Sequence, residues 1–162
     1  MNGLVYATGD LAPDRNYVDE CFAATAATLQ EAELVFGQLE TSFALRGVRL
    51  PQARHAVLAH PRGAAALARA GFSVISCAGN HCMDWGHDAF QETLGHLRDA
   101  GIDVVGAGTD IQSARKPVLR TLRDGTRVAV LAYCSILPQD YWADARRAGC
   151  VPMRARTLYE QI

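Results

Sequence analysis

The sequence has no long apolar run, no long basic run and no secretory start. No stretch approaches the roughly 18 consecutive apolar residues of a transmembrane helix. The formal net charge of the 162 residues is −1, and no cluster of lysine and arginine indicates general binding to nucleic acid or to a membrane surface. Met1-Asn2-Gly3 leads almost directly into an apolar run, without the charged start and cleavage site of a signal peptide. These absences predict a cytoplasmic protein with no membrane segment and no nucleic-acid partner.

The cysteines are odd in number and irregular in spacing, which excludes an obvious disulfide framework. They are Cys21, Cys77, Cys82, Cys134 and Cys150. A chain of this size builds its own core, so reduced thiols are the simplest interpretation. A zinc site at Cys77, His81 and Cys82 is disfavoured because no second cysteine pair has zinc-site spacing. Gly106-Ala107-Gly108 lacks the third glycine of a dinucleotide-binding loop and is interpreted as a turn.

The pattern of apolar residues predicts alternating strands and helices in one domain covering 1–162. Hydrophobic residues make up 49% of the chain and charged residues 20%, as in an ordinary globular protein. The predicted strands are residues 5–8, 34–37, 72–77 and 102–105, and the predicted helices are residues 14–31, 61–70, 87–99 and 158–162. Asp124-Gly125 between two β-rich runs predicts a hairpin, and residues 41–59 predict a long functional loop. This order predicts an α/β fold with a parallel sheet.

Polar side chains follow three of the predicted strands. Asp10, Glu40 and the pair Asn80-His81 come after apolar runs. Because chemistry in an open α/β sheet collects at the carboxyl ends of the strands, these side chains are expected to converge on one rim. Two carboxylates, an amide oxygen and an imidazole suit one or two divalent metal ions, and they favour a metal-dependent hydrolase. The alternatives are a helix cap or local turn at Asp10, a solvated Glu40, and an ordinary turn at Gly79-Asn80-His81.

Further polar residues lie beside this set. Asp84 has two interpretations: it accepts a hydrogen bond from His81 and fixes its tautomer, or it caps the helix that begins near His87. His55 and His60 lie in or beside the long loop, where they line a substrate groove or are isolated surface histidines.

Three segments of the sequence together resemble the CapA family, whose members are similar to the capsule poly-γ-glutamate synthesis protein. The segments are Thr8-Gly9-Asp10, the run from Leu34 to Thr41, and the run from Ala70 to Gly86. The stretch from Ala100 to Gly108 and the later Ala114-Arg115-Lys116-Pro117 fit the same family. The resemblance covers roughly residues 4–135.

The resemblance implies a metallophosphatase-like fold, a sandwich of two mixed β-sheets with helices outside, around a two-metal site. Carried over by position, Asp10, Glu40, Asn80 and His81 look like metal ligands, with His81 also the catalytic histidine and Asp84 its support. The implied cofactors are divalent ions: manganese, iron, zinc or magnesium. Family members continue with further strands that carry histidines, whereas this chain has no histidine after His96. The expectation is therefore a domain lacking the family's C-terminal part, with a homo-oligomer or second chain as a way to complete the site.

Two functions follow from the resemblance. The first is hydrolysis of a phosphoester or of a glutamyl or peptide amide by metal-activated water, with a small molecule, peptide or polyglutamate as substrate. The second is a non-catalytic accessory role in poly-γ-glutamate or peptide biosynthesis or export. Fold alone does not separate these two functions.

Overall fold

The computed structural model describes residues 3–14, 17–136 and 138–153. The strands are β1 (Val5–Leu11), β2 (Leu34–Leu39), β3 (Ser42–Phe43), β4 (Leu58–Ala59), β5 (Val74–Ser76), β6 (Asp103–Val105), β7 (Ala107–Gly108), β8 (Val118–Thr121), β9 (Arg127–Val130) and β10 (Gly149–Cys150). The α-helices are α1 (Ala26–Leu29), α2 (Arg62–Ala70), α3 (Gly86–Asp99) and α4 (Ile111–Ala114), and 3-10 turns occur at Val18–Phe22 and Gln139–Tyr141. The predicted helix at 158–162 lies outside the described residues.

The centre of the fold is a parallel sheet with the strand order β1-β2-β5-β6. These four strands correspond to the four apolar runs of the sequence, so the predicted α/β class is confirmed. Val74 and Ile75 of β5 are fully buried, because this inner strand is covered on both faces. The sheets beside the central one have two strands each in the described residues, and they include the antiparallel pairs β8–β9 and β7–β10.

Different elements cover the two faces of the central sheet. Helices α2 and α3 cover one face, where Leu67 and Leu97 pack in the same apolar cluster as Val35 and Ile75. The β8–β9 hairpin covers the other face, through an apolar cluster formed by Leu34, Val74, Val105, Val118 and Leu122. Successive residues of a strand point to opposite faces, so neighbours such as Val74 and Ile75 enter different clusters. The hairpin predicted around Asp124-Gly125 is confirmed, and it packs against the central sheet.

The prediction of one continuous helix over residues 14–31 was wrong. Within its described part, a 3-10 turn at Val18–Phe22 and the short α1 replace a continuous helix. Thr25 gives both its backbone N–H and its hydroxyl to the carbonyl oxygen of Phe22, at 3.0 and 3.3 Å, which tightens the chain between the two pieces. Most residues of this segment are exposed, and short helices depend on packing for their stability.

The turn predicted at Gly106-Ala107-Gly108 is only partly a turn. Gly106 has a φ of 76°, as expected for a tight turn. Ala107 and Gly108 form strand β7, which pairs with β10 in the antiparallel direction. The partner strand lies about 40 residues further along the chain, so no local pattern indicated this pairing.

In the part of the chain that the structure describes, no helix combines the length and apolar character needed to cross a membrane.

The cysteines are all free, and four of them lie in the core. Cys77, Cys82, Cys134 and Cys150 are buried, whereas Cys21 is exposed. Burial raises the pKa of the Cys77 thiol to about 12. The pKa of Cys134 is also raised, first by a hydrogen bond with Cys150 and then by burial. Buried thiols that stay protonated are inert, which agrees with the prediction of reduced cysteines.

One thiol is therefore expected to react quickly with Ellman's reagent at pH 8 in the native protein, and all five after unfolding in guanidinium chloride. The reason is that only Cys21 combines exposure with an accessible sulfur. Absorbance at 412 nm gives the count, and Cys21→Ser removes the fast phase while the remaining four thiols still react in denaturant. Two or more fast thiols in the native wild type would contradict the packing described above.

Candidate metal and catalytic site

The polar side chains that follow the strands lie at one rim of the central sheet. Asp10 is near the end of β1, Glu40 directly follows β2, and Asn80 and His81 follow β5 after a short connection. The pairing of β1 with β2 shifts register between Ala7 and Asp10, which places Asp10 opposite Gln38. The carboxyl ends of parallel strands lie at the same edge of a sheet. The topology therefore brings these polar side chains to one rim, as the sequence predicted.

Asp10, Glu40 and Asn80 line one cleft of about 300 Å³. Residues 133–136 form the wall across from them. The backbone at Gly79 passes close to the floor of this cleft: a Cβ atom there would lie 2.7 Å from Gln38 Nε2 and 3.0 Å from Glu40 Oε1. A side chain at position 79 would therefore displace the Glu40 carboxylate.

The environment of the cleft shifts the pKa of Glu40. Burial raises the pKa of its carboxyl group, and the nearby charge of Asp10 raises it further. A hydrogen bond with Gln38 and the neighbouring His81 lower the pKa, but the net direction is upward. When two carboxyl groups lie close together, ionisation of both is disfavoured because the negative charges repel each other. A cation between them favours the ionised form of both groups.

The donor set fits a divalent cation that prefers oxygen ligands. Asp10 and Glu40 offer carboxylate oxygens and Asn80 an amide oxygen, which are ligands of hard cations. Across residues 3–14, 17–136 and 138–153, no three side chains of His, Cys, Asp or Glu are grouped closely enough to hold a metal by themselves. The described residues therefore fit a cation that keeps several waters, and not a closed protein cage. The ligand roles of Asp10, Glu40, Asn80 and His81 stay predictions.

His81 is held by a chain of two hydrogen bonds. Its Nδ1 lies 2.6 Å from Asp84 Oδ2, and the hydroxyl of Tyr141 donates to Asp84 Oδ1 at 2.9 Å. Asp84 is 3% exposed, so its carboxylate depends on these two partners. An ionised Asp84 accepts from Nδ1–H, which leaves Nε2 of His81 to take up or give a proton.

Asp84 therefore makes the hydrogen bond that one interpretation of the sequence predicted. The N-cap residue of α3 is Trp85, without a side-chain cap, so the alternative of a capping aspartate does not apply. The catalytic role of His81 and Asp84 stays a prediction.

Tyr141 was missed in the sequence. It is 57 residues from Asp84 and lies in a segment without periodicity, so no local pattern indicated its contact with Asp84. Tyr141 is 1% exposed, and its pKa is raised by burial and then by the hydrogen bond to Asp84. The phenol therefore stays protonated and remains a donor to Asp84.

A second, larger cavity adjoins the first. This groove of about 630 Å³ is lined by His81, Asp84 and Tyr141 and by residues 52–55 of the long loop. Asn80 lines both the cleft and the groove, so the two meet beside His81. His55 lies in the groove, as one interpretation predicted, whereas His60 accepts a hydrogen bond from the backbone N–H of Arg62 at the start of α2.

The fold and this rim define an α/β protein with a polar cleft at the carboxyl ends of parallel strands. The chain belongs to the family described as bacterial capsule synthesis protein PGA_cap, whose family model matches residues 5–161. The resemblance to CapA proteins found in the sequence is thereby confirmed.

Several curated proteins are similar to this chain. A PGA biosynthesis protein CapA of Bacillus subtilis is 30% identical over 81 residues, covering 50% of this chain and 21% of the relative. A "probable polyglutamine synthesis accessory protein" of Mycobacterium tuberculosis is 36% identical over 93 residues, covering 56% and 24%. An uncharacterized protein of Sinorhizobium fredii is 31% identical over 158 residues, covering 91% and 33%. The chain thus spans a third or less of the length of these relatives.

Proposed function

We propose that this chain carries part of a metal-dependent hydrolase site that acts on a phosphoester or on a glutamyl or peptide amide. The observation that carries the proposal is the position of His81. Its ring is oriented by the buried Asp84, and it lies where a cleft lined by two carboxylates and an amide meets an open groove. A histidine whose Nδ1–H is bound by a buried carboxylate presents Nε2 for proton transfer or for a metal ion.

Each residue of the rim has a role in this proposal. Asp10, Glu40 and Asn80 would hold the cation, which supplies a water of lowered pKa and polarises the target oxygen when bound. His81 donates a proton from Nε2 to the leaving group. Asp84 keeps the proton of the imidazole on Nδ1 and stabilises the ring when it is charged. Tyr141 keeps Asp84 in place by its hydrogen bond.

A second candidate is a non-catalytic accessory role in the synthesis or export of an anionic polymer or peptide. The observation that favours it is the family itself, since the names of two relatives refer to biosynthesis and to a synthesis accessory role. The two candidates differ at His81: a binding protein keeps its affinity for the ligand in His81→Ala, and a hydrolase loses turnover.

The purified chain is expected to hold stoichiometric manganese, iron or zinc, and the Asp10→Ala/Glu40→Ala double variant is expected to hold none. Removing both carboxylates should weaken cation binding by at least about 100-fold, because changes even to outer partners of metal ligands cost 10- to 100-fold. Elemental analysis after dialysis against each metal measures this.

The matched control removes two exposed carboxylates elsewhere, Glu31→Ala/Asp99→Ala, and should retain the metal. Equal metal content in all three proteins, or metal in none of them, would argue against the proposed site and favour the accessory role.

A further inference from the structure

The segment between Glu40 and Asp84 contains five arginines and no acidic residue. The arginines are Arg46, Arg49, Arg54, Arg62 and Arg69. The whole chain has a net charge of −1, so positive charge is concentrated in this segment. The segment includes the long loop that forms one wall of the groove beside His81. Of these five arginines, Arg54 is the one that lines the groove.

Backbone hydrogen bonds fasten the loop to the turn that carries Asp84. The N–H of Leu50 donates to the carbonyl oxygen of Asp84 at 2.9 Å, and the N–H of Val48 donates to that of Trp85 at 3.1 Å. A Cβ atom at Gly47 would lie 2.7 Å from the carbonyl oxygen of Trp85, so the two segments are in close contact. The loop wall and His81 consequently belong to one packed unit.

Arg49 stiffens the next part of the loop from within. Its guanidinium donates two hydrogen bonds to the carbonyl oxygen of Ala53, at 2.9 and 2.6 Å, and a third to that of Arg54 at 2.9 Å. An arginine fork that spans two carbonyls fixes the backbone that it joins. This bonding presets the backbone from which the side chains of Arg54 and His55 reach the groove.

Arg54 lacks a carboxylate partner within residues 3–14, 17–136 and 138–153, unlike Arg69 and Arg147, which pair with Asp19 and Asp144. Asp84 also lines the groove, but it is buried and accepts hydrogen bonds from His81 and Tyr141. The other polar groups of the groove wall include the neutral amides of Gln52 and Gln139. An unpaired guanidinium on a preset loop is suited to bind an anion.

We propose that Arg54, with His55 beside it, binds an anionic group of the substrate in this groove. The ligand is a molecule with a carboxylate or phosphate group. This group lies in the groove when the bond that reacts is placed beside His81. This inference rests on the proposed function for the position of that bond, but the binding itself requires neither metal nor turnover. Arg49 is a positioning residue for the same wall.

The test is isothermal titration calorimetry on the 162-residue chain in buffer with EDTA. The probes are a glutamate tetramer, a glutamine tetramer of equal length and tripolyphosphate. The wild type should bind at least one anionic probe about 10- to 100-fold more tightly than the neutral tetramer, since hydrogen bonds to charged groups are the strong ones. The affinity should fall between 50 and 200 mM salt.

Arg54→Gln should remove most of this preference, and Arg54→Lys should restore part of it. Arg127→Gln is the matched control, because Arg127 is exposed on β9 and does not line the groove. Preference for the glutamate tetramer identifies a carboxylate ligand, and preference for tripolyphosphate identifies a phosphate ligand. The inference would be overturned if the charged and neutral probes bound equally, or if neither anion bound. It would also be overturned if Arg54→Gln and Arg127→Gln lost the same affinity. Absence of metal or turnover would count against the hydrolase alone.

Discussion

His81→Ala is expected to lower metal-dependent turnover by about 10²- to 10⁴-fold, the usual contribution of a positioned general acid or base. The imidazole is the group that the structure holds ready for proton transfer, because its Nδ1 is engaged by Asp84 and Nε2 is left for the substrate. The measurement is hydrolysis of an alkyl phosphodiester, whose leaving group needs a proton, and of a glutamyl amide, with each candidate metal. His81 is partly exposed, so the variant should stay folded by circular dichroism.

Comparison with two other variants separates proton transfer from general damage to the protein. His87→Ala removes an exposed histidine of α3 that contacts Gln91, and it should leave turnover unchanged. Asp84→Asn keeps the shape of the side chain but no longer favours the Nδ1–H tautomer or the charged ring, so it should lower turnover without removing metal. Turnover that survives in His81→Ala would contradict the catalytic role of this histidine, whereas the absence of metal-dependent turnover in the wild type would favour the accessory role.

Gly106→Ala is expected to lower the free energy of unfolding by about 2–5 kcal/mol, through backbone strain and overpacking together. Gly106 has a φ of 76°, which costs an L-residue energy whatever its surroundings. A Cβ atom there would also lie 2.6 Å from Ala78 Cβ, 2.7 Å from Ala132 Cβ and 2.8 Å from the carbonyl oxygen of Ala132. Denaturation in guanidinium chloride measures the loss.

Two other glycines allow the two contributions to be separated. Gly125 has a φ of 86° but nothing within 4 Å of its Cβ position, so Gly125→Ala should cost only about 1–2 kcal/mol. Gly95 lies inside α3 with open space around it, and Gly95→Ala should stabilise the protein by about 0.5–1 kcal/mol. Equal losses in Gly106→Ala and Gly125→Ala would show that the close packing against Ala78 contributes nothing.

The features that the sequence predicted well are those with a strong local pattern. The inner strands are continuous apolar runs, α2 is bounded by Pro61 and Gly71, and the hairpin has Asp124-Gly125 at its turn. The rim of polar residues was predictable for a similar reason, since each of these residues lies at or shortly after the carboxyl end of an apolar run. Local pattern and tertiary structure agree at these positions.

The features that were missed depend on contacts between distant parts of the chain. The bond from Tyr141 to Asp84 joins segments without shared periodicity, and β7 pairs with β10 across a similar gap. The apolar residues over 14–31 have helical spacing, but most residues of this segment are exposed and make little contact with the core. The long loop was predicted to be functional, yet its attachment to Asp84 and Trp85 required the folded structure.

The two carboxylates of the cleft stand on strands of unequal local stability. Each residue of β1 is at least partly exposed, and β1 lies at the edge of the central sheet, whereas most of β2 is buried between neighbours. Brief opening of β1 alone would carry Asp10 away and leave Glu40 and the rest of the core in place, because strands with few buried contacts open first. A ligand held by both carboxylates would therefore stabilise β1 against local opening. The fraction of molecules in which this edge strand is ordered would rise as the cleft fills with ligand.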